Sequence, residues 1–141
     1  MTTKEIWDIS HKLREEDKQE ILRTSGRLTF NSCIVDLICR YNHPVYKITY
    51  GDEDIGMGGF YKSKGKWCVW LVFTPAYERH KIQFLRFAKK NLNYLNMYYG
   101  VLTNVVWLKN HEHVVFLNWL GAKWIPLDDE FAIFELGDES S

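Results

Sequence analysis

From Val45 onward, apolar positions alternate with polar ones, a period of two that is typical of β-strands. Three such segments, residues 45–50, 55–62 and 67–73, are separated by the turn sequences "GDED" and "SKGK". Short connections rich in Gly and Asp join antiparallel neighbours, so this part of the chain predicts a three-stranded meander. The third segment is apolar at nearly every position, which indicates a central strand covered on both faces.

The period then changes to three and four over residues 76–100, which predicts a long amphipathic helix ending at Gly100. Inward positions are Ile82, Leu85, Ala88, Leu92 and Leu95, and outward positions are Arg86, Lys89, Lys90 and Asn93.

The remaining C-terminal pattern predicts a strand, a short helix and two strands. Residues 101–108 have strand character, residues 112–121 form the helix, and residues 122–127 and 131–136 read as strands around an acidic turn. The predicted inward side chains of the short helix are Val115, Phe116, Trp119 and Leu120.

Before Val45 the pattern predicts a short strand in "EIWDIS", then two helices. The first helix begins with acidic residues and ends near Gly26. The second covers "NSCIVDLICRY", is capped by Asn31 or Ser32, and ends at "NHP". Its predicted inner face consists of Ile34, Leu37, Ile38 and Tyr41.

This order predicts an α/β (α+β) fold, with a mixed, mostly antiparallel central sheet and helices on both faces. At 141 residues and 46% hydrophobic composition, the chain is long enough for one buried core, so we expect a single domain over residues 1–141. Residues 137–141 are expected to fray. Segments 67–73 and 102–108 are expected to lie side by side and to part at their far ends.

Charge and hydropathy exclude several classes of protein. Lys plus Arg and Asp plus Glu both number 18, so nucleic-acid binding is not expected, although Lys62, Lys64, Lys66 and residues 79–81 could form a local basic patch. There is no run of roughly 20 apolar residues and no signal-peptide pattern, which predicts a soluble cytoplasmic protein without membrane contact.

Metal chemistry is not expected either. The three cysteines are odd in number and form no Cys-x-x-Cys pair, which favours reduced core thiols over disulfides or zinc. His111 and His113 flank Glu112, but on a helix positions two apart point about 200° from each other, so they cannot share a metal. The tryptophans in apolar runs are interpreted as core rather than as a base-stacking platform: Trp67, Trp70, Trp107, Trp119 and Trp124.

The stretch "NHEHVVFLNWLGA", which follows the predicted strand of residues 101–108, resembles the Gcn5-related N-acetyltransferase (GNAT) superfamily. Its pattern there is Asn-x-x-Ala-x-x-Phe-Tyr-x-x-x-Gly-Phe on a short helix. Asn110, Phe116 and Gly121 keep the spacing, with Asn110 expected to cap the helix and Gly121 to permit the turn back to the sheet. His113 replaces the Ala, Leu117 the Tyr, and Ala122 the final aromatic residue.

A closer resemblance is to small tailed-phage proteins described as acetyltransferase-like or as internal virion proteins. The shared features are a Gly-Gly strand, an aromatic strand ending in Thr, a Leu-x-Asn-x-Val-Trp-x-x-Asn segment and a helix ending in Leu-Gly-Ala. They correspond here to Gly58-Gly59, Trp70 to Thr74, Leu102 to Trp107 with Asn110, and Leu120 to Ala122.

The GNAT resemblance implies where a cofactor would bind. The backbone of the strand ending at Phe73 would pair with the pantetheine arm of acetyl-CoA through Val72, Phe73 and Thr74. The pyrophosphate would lie at the following helix N-terminus, beside Arg79, His80 and Lys81, with Asn110 in the groove. The glycines expected at that helix start are replaced by Ile82 or Gln83 and by Phe84. Leu117, at the position of the usual Tyr, cannot donate a proton. Tyr77, Tyr99 or a water could supply that proton, so no catalytic residue is assigned.

Two functions follow from the resemblance. One is an acyl-CoA-dependent N-acyltransferase acting on an amine of a host protein or small molecule. The other is a catalytically inactive GNAT-fold protein that acts by contacts with phage or host proteins, in the host cytoplasm during assembly or inside the virion. Acetyl-CoA binding distinguishes the two.

Overall fold

A computed structural model of the protein describes residues 1–39 and 43–137. The end of the predicted second helix, residues 40–42, lies outside the described residues. So do residues 138–141 of the expected frayed tail. The elements are α1 Thr3–Ser10, α2 Glu15–Ser25, α3 Phe30–Cys39, β1 Val45–Tyr50, β2 Glu53–Ser63, β3 Lys66–Phe73, α4 Tyr77–Tyr99, β4 Leu102–Trp107, α5 His111–Trp119, β5 Lys123–Pro126 and β6 Phe131–Leu136.

The strands form one sheet in the order β1-β2-β3-β4-β6-β5. β1 pairs antiparallel with β2, and β6 pairs antiparallel with both β4 and β5, whereas β3 and β4 are parallel. The predicted mixed, mostly antiparallel sheet is therefore confirmed. So is the adjacency of the third and fourth strands, whose ladder pairs Trp67 with Leu102 and Cys68 with Thr103.

The first element is a helix, so the strand predicted for "EIWDIS" is wrong. The Thr2 side chain accepts the Glu5 N–H, and the Glu5 carboxylate accepts the Thr2 N–H, which is a complete capping box. Ile6 and Ile9 are three residues apart and both buried, as on one face of a helix. The capping pattern outweighs the apparent alternation around Trp7.

The second predicted helix is confirmed, but its cap is Thr29 rather than Asn31 or Ser32. α3 begins at Phe30, and the Thr29 hydroxyl accepts the Ser32 N–H. The helix thus begins one residue before the predicted start, because Thr29 is the first side chain positioned to accept that N–H.

Close backbone approach explains the glycine-rich sequence of β2. A Cβ added at Gly56 would lie 2.2 Å from the Val72 carbonyl oxygen, and one at Gly58 would lie 2.6 Å from the Trp70 carbonyl oxygen. Any side chain there would force main-chain atoms apart. The next connection is a tight hairpin in which Lys64 and Gly65 both have positive φ, 52° and 80°.

The chain divides into two compact units, one formed by residues 1–60 and 70–80 and the other by residues 61–69 and from 81 onward. The expectation of one domain therefore stays a prediction. The core cluster of the first unit consists of Ile6, Ile9, Leu13, Ile34, Val45, Met57 and Val72. Buried apolar side chains of the second unit include Leu85, Leu102, Val106, Phe116, Leu117 and Phe134.

Several predicted helix faces are corrected. Ile82 is 56% exposed, since it lies about 100° from the centre of the buried face of α4. On α5, Val115 and Trp119 are exposed, whereas His113, Phe116 and Leu117 are buried at the spacing of three and four. Trp119 is therefore not a core residue.

Candidate functional site

The end of β3, where the resemblance places the pantetheine arm, is buried and anchored to β2. Val72, Phe73 and Thr74 are each at most 4% exposed. The Thr74 main-chain N–H donates to the Ile55 carbonyl at 2.8 Å, and its hydroxyl donates to the Asp54 and Ile55 carbonyls. Thr74 thus holds the strand end through both its backbone and its side chain.

The main chain of Phe73 is paired with the first turn of α2. Its N–H donates to Asp17 Oδ2 at 2.6 Å, and its carbonyl accepts the Arg14 main-chain N–H at 2.9 Å. A cofactor arm that bound this backbone would need these same two groups. As the residues lie, the backbone of Phe73 is not offered to a ligand.

A buried ion pair within the start of α2 orients the Asp17 carboxylate that accepts from Phe73. Arg14 Nη2 lies 2.9 Å from Asp17 Oδ1, and Arg14 Nε donates to Asp17 Oδ2 at 3.3 Å. Arg14 is 8% exposed and Asp17 is 1% exposed. Asp17 lies in the first turn, where the helix dipole favours a carboxylate. Sequence analysis missed both residues, because an acidic first turn resembles an ordinary solvated helix start.

Two of the basic residues expected near a pyrophosphate share one carboxylate. The Arg79 guanidinium donates to Glu53, and His80 Nε2 lies 2.9 Å from Glu53 Oε1. The Tyr50 ring stacks on His80 with ring centroids 4.4 Å apart. The hydrogen bond from Arg79, supported by the one from His80, lowers the pKa of Glu53 to about 2. At neutral pH the carboxylate therefore offsets positive charge at this helix start.

The backbone is irregular at the same place. His80 has φ −123° and ψ 16°, which interrupts α4 between its first turn and its main part. The interruption falls at the helix start where the resemblance places a pyrophosphate, and the residues that follow have side chains in place of the expected glycines.

Lys81 and Asn110 both belong to the second unit. Lys81 Nζ lies 3.4 and 3.5 Å from the two carboxylate oxygens of Glu112. Asn110 is fully buried at the N-cap of α5, but its side chain makes no capping hydrogen bond, so that prediction is wrong. Its main-chain carbonyl instead accepts the His113 and Val114 N–H groups at 3.1 Å.

Comparison with known proteins identifies the family. The model of the family "Bacteriophage T7, probable scaffold protein Gp13" matches residues 48–132, which is more than half of the chain. The chain belongs to the Gp13 family. No curated protein matches it.

Solved structures show that this Gp13-family chain has the GNAT fold. The protein smu.2055 of Streptococcus mutans UA159 is 14% identical, with a TM-score of 0.64, covering 97% of this chain and 96% of that one. A GNAT-family acetyltransferase of Bacillus anthracis is 15% identical, with a TM-score of 0.62, covering 97% and 91%. The N-acetyltransferase PseH of Campylobacter jejuni, solved with acetyl coenzyme A, is 14% identical, with a TM-score of 0.53, covering 98% and 93%.

The tyrosines considered for proton transfer in the Gp13-family chain are packed against other rings. Tyr77 is 1% exposed and stacks on Phe73 with centroids 4.0 Å apart. Tyr99 packs edge-on against Trp67 at 4.9 Å. Leu117, at the position of the usual Tyr, is 2% exposed. These contacts favour no catalytic residue.

Asn104 bridges β4 to β2 and β3 through its side chain. Beyond the Cys68–Thr103 pair, its side-chain Nδ2 donates to the Val69 carbonyl at 3.1 Å and to the Tyr61 hydroxyl at 3.3 Å. A side chain therefore takes the place of a main-chain hydrogen bond where the parallel ladder ends. A lone Asn within a strand pattern was the available signal.

Within residues 1–39 and 43–137, no group of three or more His, Cys, Asp or Glu side chains is arranged to hold a metal ion. No helix in the same ranges is long and apolar enough to cross a membrane.

Proposed function

We propose that this Gp13-family chain is a catalytically inactive GNAT-fold protein that acts through protein contacts in phage assembly or inside the virion. The observation that carries the proposal is the pairing of the Phe73 main chain with Asp17 and Arg14. The family description, a probable scaffold protein, supports a role in assembly.

Displacing α2 would break its hydrogen bonds to the Phe73 main chain. An acyl-CoA arm could reach that backbone only after the first turn of α2 moved away from it. Arg14 and Asp17 lie in the same turn and would move together, so the cost comes from the hydrogen bonds that this turn makes to Phe73. The one accepted by the charged Asp17 contributes about 1.5–3 kcal/mol. Since 1.4 kcal/mol is a factor of ten, its loss weakens binding by roughly tenfold to a hundredfold.

Binding of a pyrophosphate at the start of α4 is also unfavourable. Arg79 and His80 both contact Glu53, so an anion would have to compete with a carboxylate already in place. Backbone N–H groups bind phosphate best where glycines let the main chain approach closely. Here Ile82 or Gln83, and Phe84, take the places of those glycines.

A second candidate function is an acyl-CoA-dependent N-acyltransferase, which the fold shared with PseH favours. Its cofactor-binding residues would be Val72, Phe73, Thr74, Arg79, His80, Lys81 and Asn110. This function requires α2 to leave β3 and Glu53 to release Arg79.

Calorimetric titration of the full chain with acetyl-CoA separates the two. We expect no saturable heat up to about millimolar ligand, where binding free energy falls to about 4 kcal/mol. Saturable binding that Arg79→Ala or Lys81→Ala abolishes, and that the exposed-lysine variant Lys64→Ala retains, would establish the acyltransferase candidate instead. Incorporation of the chain into purified particles would test the assembly role directly.

A further inference from the structure

The outer surface of α4 carries four large apolar side chains that the core does not use. Phe87, Tyr94, Met97 and Tyr98 are 63%, 70%, 83% and 79% exposed. Their spacing of seven, ten and eleven residues places them within an arc of about 100° along roughly 16 Å of helix. We call these four residues the α4 stripe.

The stripe is additional to the residues that attach α4 to its own unit. On the inner side Leu85 is 7% exposed, Phe84 stacks on Phe116, and Tyr99 contacts Trp67. A contiguous group of exposed apolar side chains on a surface helix marks an interaction site. Four such residues along one helix face match the contact of a second helix.

The charged side chains of α4 beyond its first residues have one sign. From Arg79 to Tyr99, α4 contains no Asp or Glu, and Arg86 and Lys90 are exposed on the stripe side of the helix. Lys89, farther round, lies 5.0 Å from the centroid of the exposed Trp119 ring. A partner that buried the stripe would gain from carboxylates placed opposite these cations.

We propose that the α4 stripe docks a helix of a partner protein whose apolar face is flanked by Asp or Glu residues. The proposal rests on the proposed function by protein contacts and names the surface and the partner chemistry. Single-stranded nucleic acid fits less well, since it requires a continuous basic groove, whereas the exposed side chains here are mainly apolar and include Phe87 and Met97. A second copy pairing antiparallel through the stripe would bring the two Lys90 residues within about 8 Å along the axis, which like charges disfavour.

Two synthetic helical peptides of about 20 residues serve as probes. Both have Leu at positions i, i+3, i+4 and i+7. One carries Glu at the flanking positions and the other carries Lys there. Binding to the full chain is measured by fluorescence anisotropy. We expect saturable binding of the Glu peptide and at least tenfold weaker binding of the Lys peptide.

The variants Phe87→Ser, Tyr94→Ser and Lys90→Glu should each weaken binding of the Glu peptide at least tenfold. The matched control is Tyr46→Ser, a 53% exposed tyrosine on β1, which should leave binding unchanged. Because all these side chains are exposed, circular dichroism and the melting temperature should not change.

Other outcomes overturn the proposal. These are no binding of the Glu peptide, equal binding of the two peptides, or binding that Tyr94→Ser leaves unchanged. Tight, salt-dependent binding of an oligo-dT strand lost in Tyr94→Ser would assign the stripe to nucleic acid. Concentration-dependent dimerisation lost in the same variant would assign it to a second copy.

Acetyl-CoA binding and peptide binding distinguish a wrong contact surface from a wrong proposed function. Saturable acetyl-CoA binding by the unaltered chain would contradict the proposed function without affecting the peptide result. Loss of peptide selectivity with no acetyl-CoA binding would leave the inactive fold intact and remove only the α4 stripe as its contact surface.

Discussion

Asp17 Oδ2 accepts the main-chain N–H of Phe73 at 2.6 Å, across 56 residues of sequence. This hydrogen bond joins the first turn of α2 to the last residue of β3, where the resemblance places the pantetheine arm. Because Asp17 is also paired with Arg14, one buried carboxylate neutralises a cation and occupies a strand end.

Replacing Asp17 with Ala should therefore lower the free energy of unfolding by about 3–5 kcal/mol, since the buried Arg14 cation and the Phe73 N–H both lose the Asp17 carboxylate. Urea unfolding measures the change as a lower midpoint. The control is Glu16→Ala, an exposed carboxylate one residue away, which should change stability by less than about 0.5 kcal/mol. Equal effects of the two substitutions would mean that the Asp17 contacts contribute little.

Gly58→Ala should destabilise the first unit by about 1–3 kcal/mol. The added Cβ would lie 2.6 Å from the Trp70 carbonyl oxygen, so the two strands would have to move apart. Ser63→Ala, at an exposed position of the same strand, is the matched control for thermal or urea unfolding. An unchanged midpoint for Gly58→Ala would show that the close approach of β2 and β3 is not needed.

Glu53 should remain ionised to low pH. Hydrogen bonds from Arg79 and then His80 lower its pKa from 4.5 to about 2. The ion pair's contribution to stability is therefore fully present above pH 4.5 and lost as the pH falls towards 2. Carbon NMR titration of the Glu53 carboxyl measures this midpoint. Arg79→Gln should move it up towards 4.5, whereas Lys64→Gln should not; a midpoint near 4.5 in the unaltered chain contradicts the prediction.

His43 should make the stability of the first unit pH-dependent. Trp70 Nε1 donates to His43 Nε2 at 2.8 Å, which requires an unprotonated ring nitrogen, and burial lowers the pKa of His43 below 6.5. The unfolded chain then binds the proton more readily, so stability is present above pH 6.5 and is lost as the pH falls through the lower, folded-state pKa.

Urea midpoints compared between about pH 5 and pH 7.5 test this pH dependence. The unaltered chain should lose more stability on acidification than His43→Asn does. The exposed-histidine variant His111→Asn should behave like the unaltered chain. If His43→Asn loses as much as the unaltered chain, another group is responsible.

One incorrect element could have been predicted. "TTKE" at the N-terminus has Thr and Glu three residues apart, the capping-box spacing that α1 uses. The alternation around Trp7 favoured a strand, whereas the capping-box spacing correctly favoured a helix. The exposed Trp119 is different, because on a helix of nine residues two candidate faces fitted the apolar pattern equally well.

The candidate site was only partly predictable. The resemblance singled out Phe73 and Arg79 as candidates, but their partners Asp17 and Glu53 lie 56 and 26 residues away in sequence. The acidic start of a helix and the first residue of a strand have no local pattern that reveals such a contact. A buried Asp and a solvated Asp look alike until the chain path brings a donor to one of them.

Local order was therefore set by the sequence itself. The strands from Val45 to Phe73 and the long helix up to Gly100 follow from side-chain periodicity, turn residues and caps, which act over a few residues. The tertiary structure alone decided that α2 occupies the end of β3, that Glu53 holds Arg79, and that the α4 stripe stays exposed. Each of these depends on which surfaces meet after the chain has folded, and contacts between distant segments leave no periodic trace along the sequence.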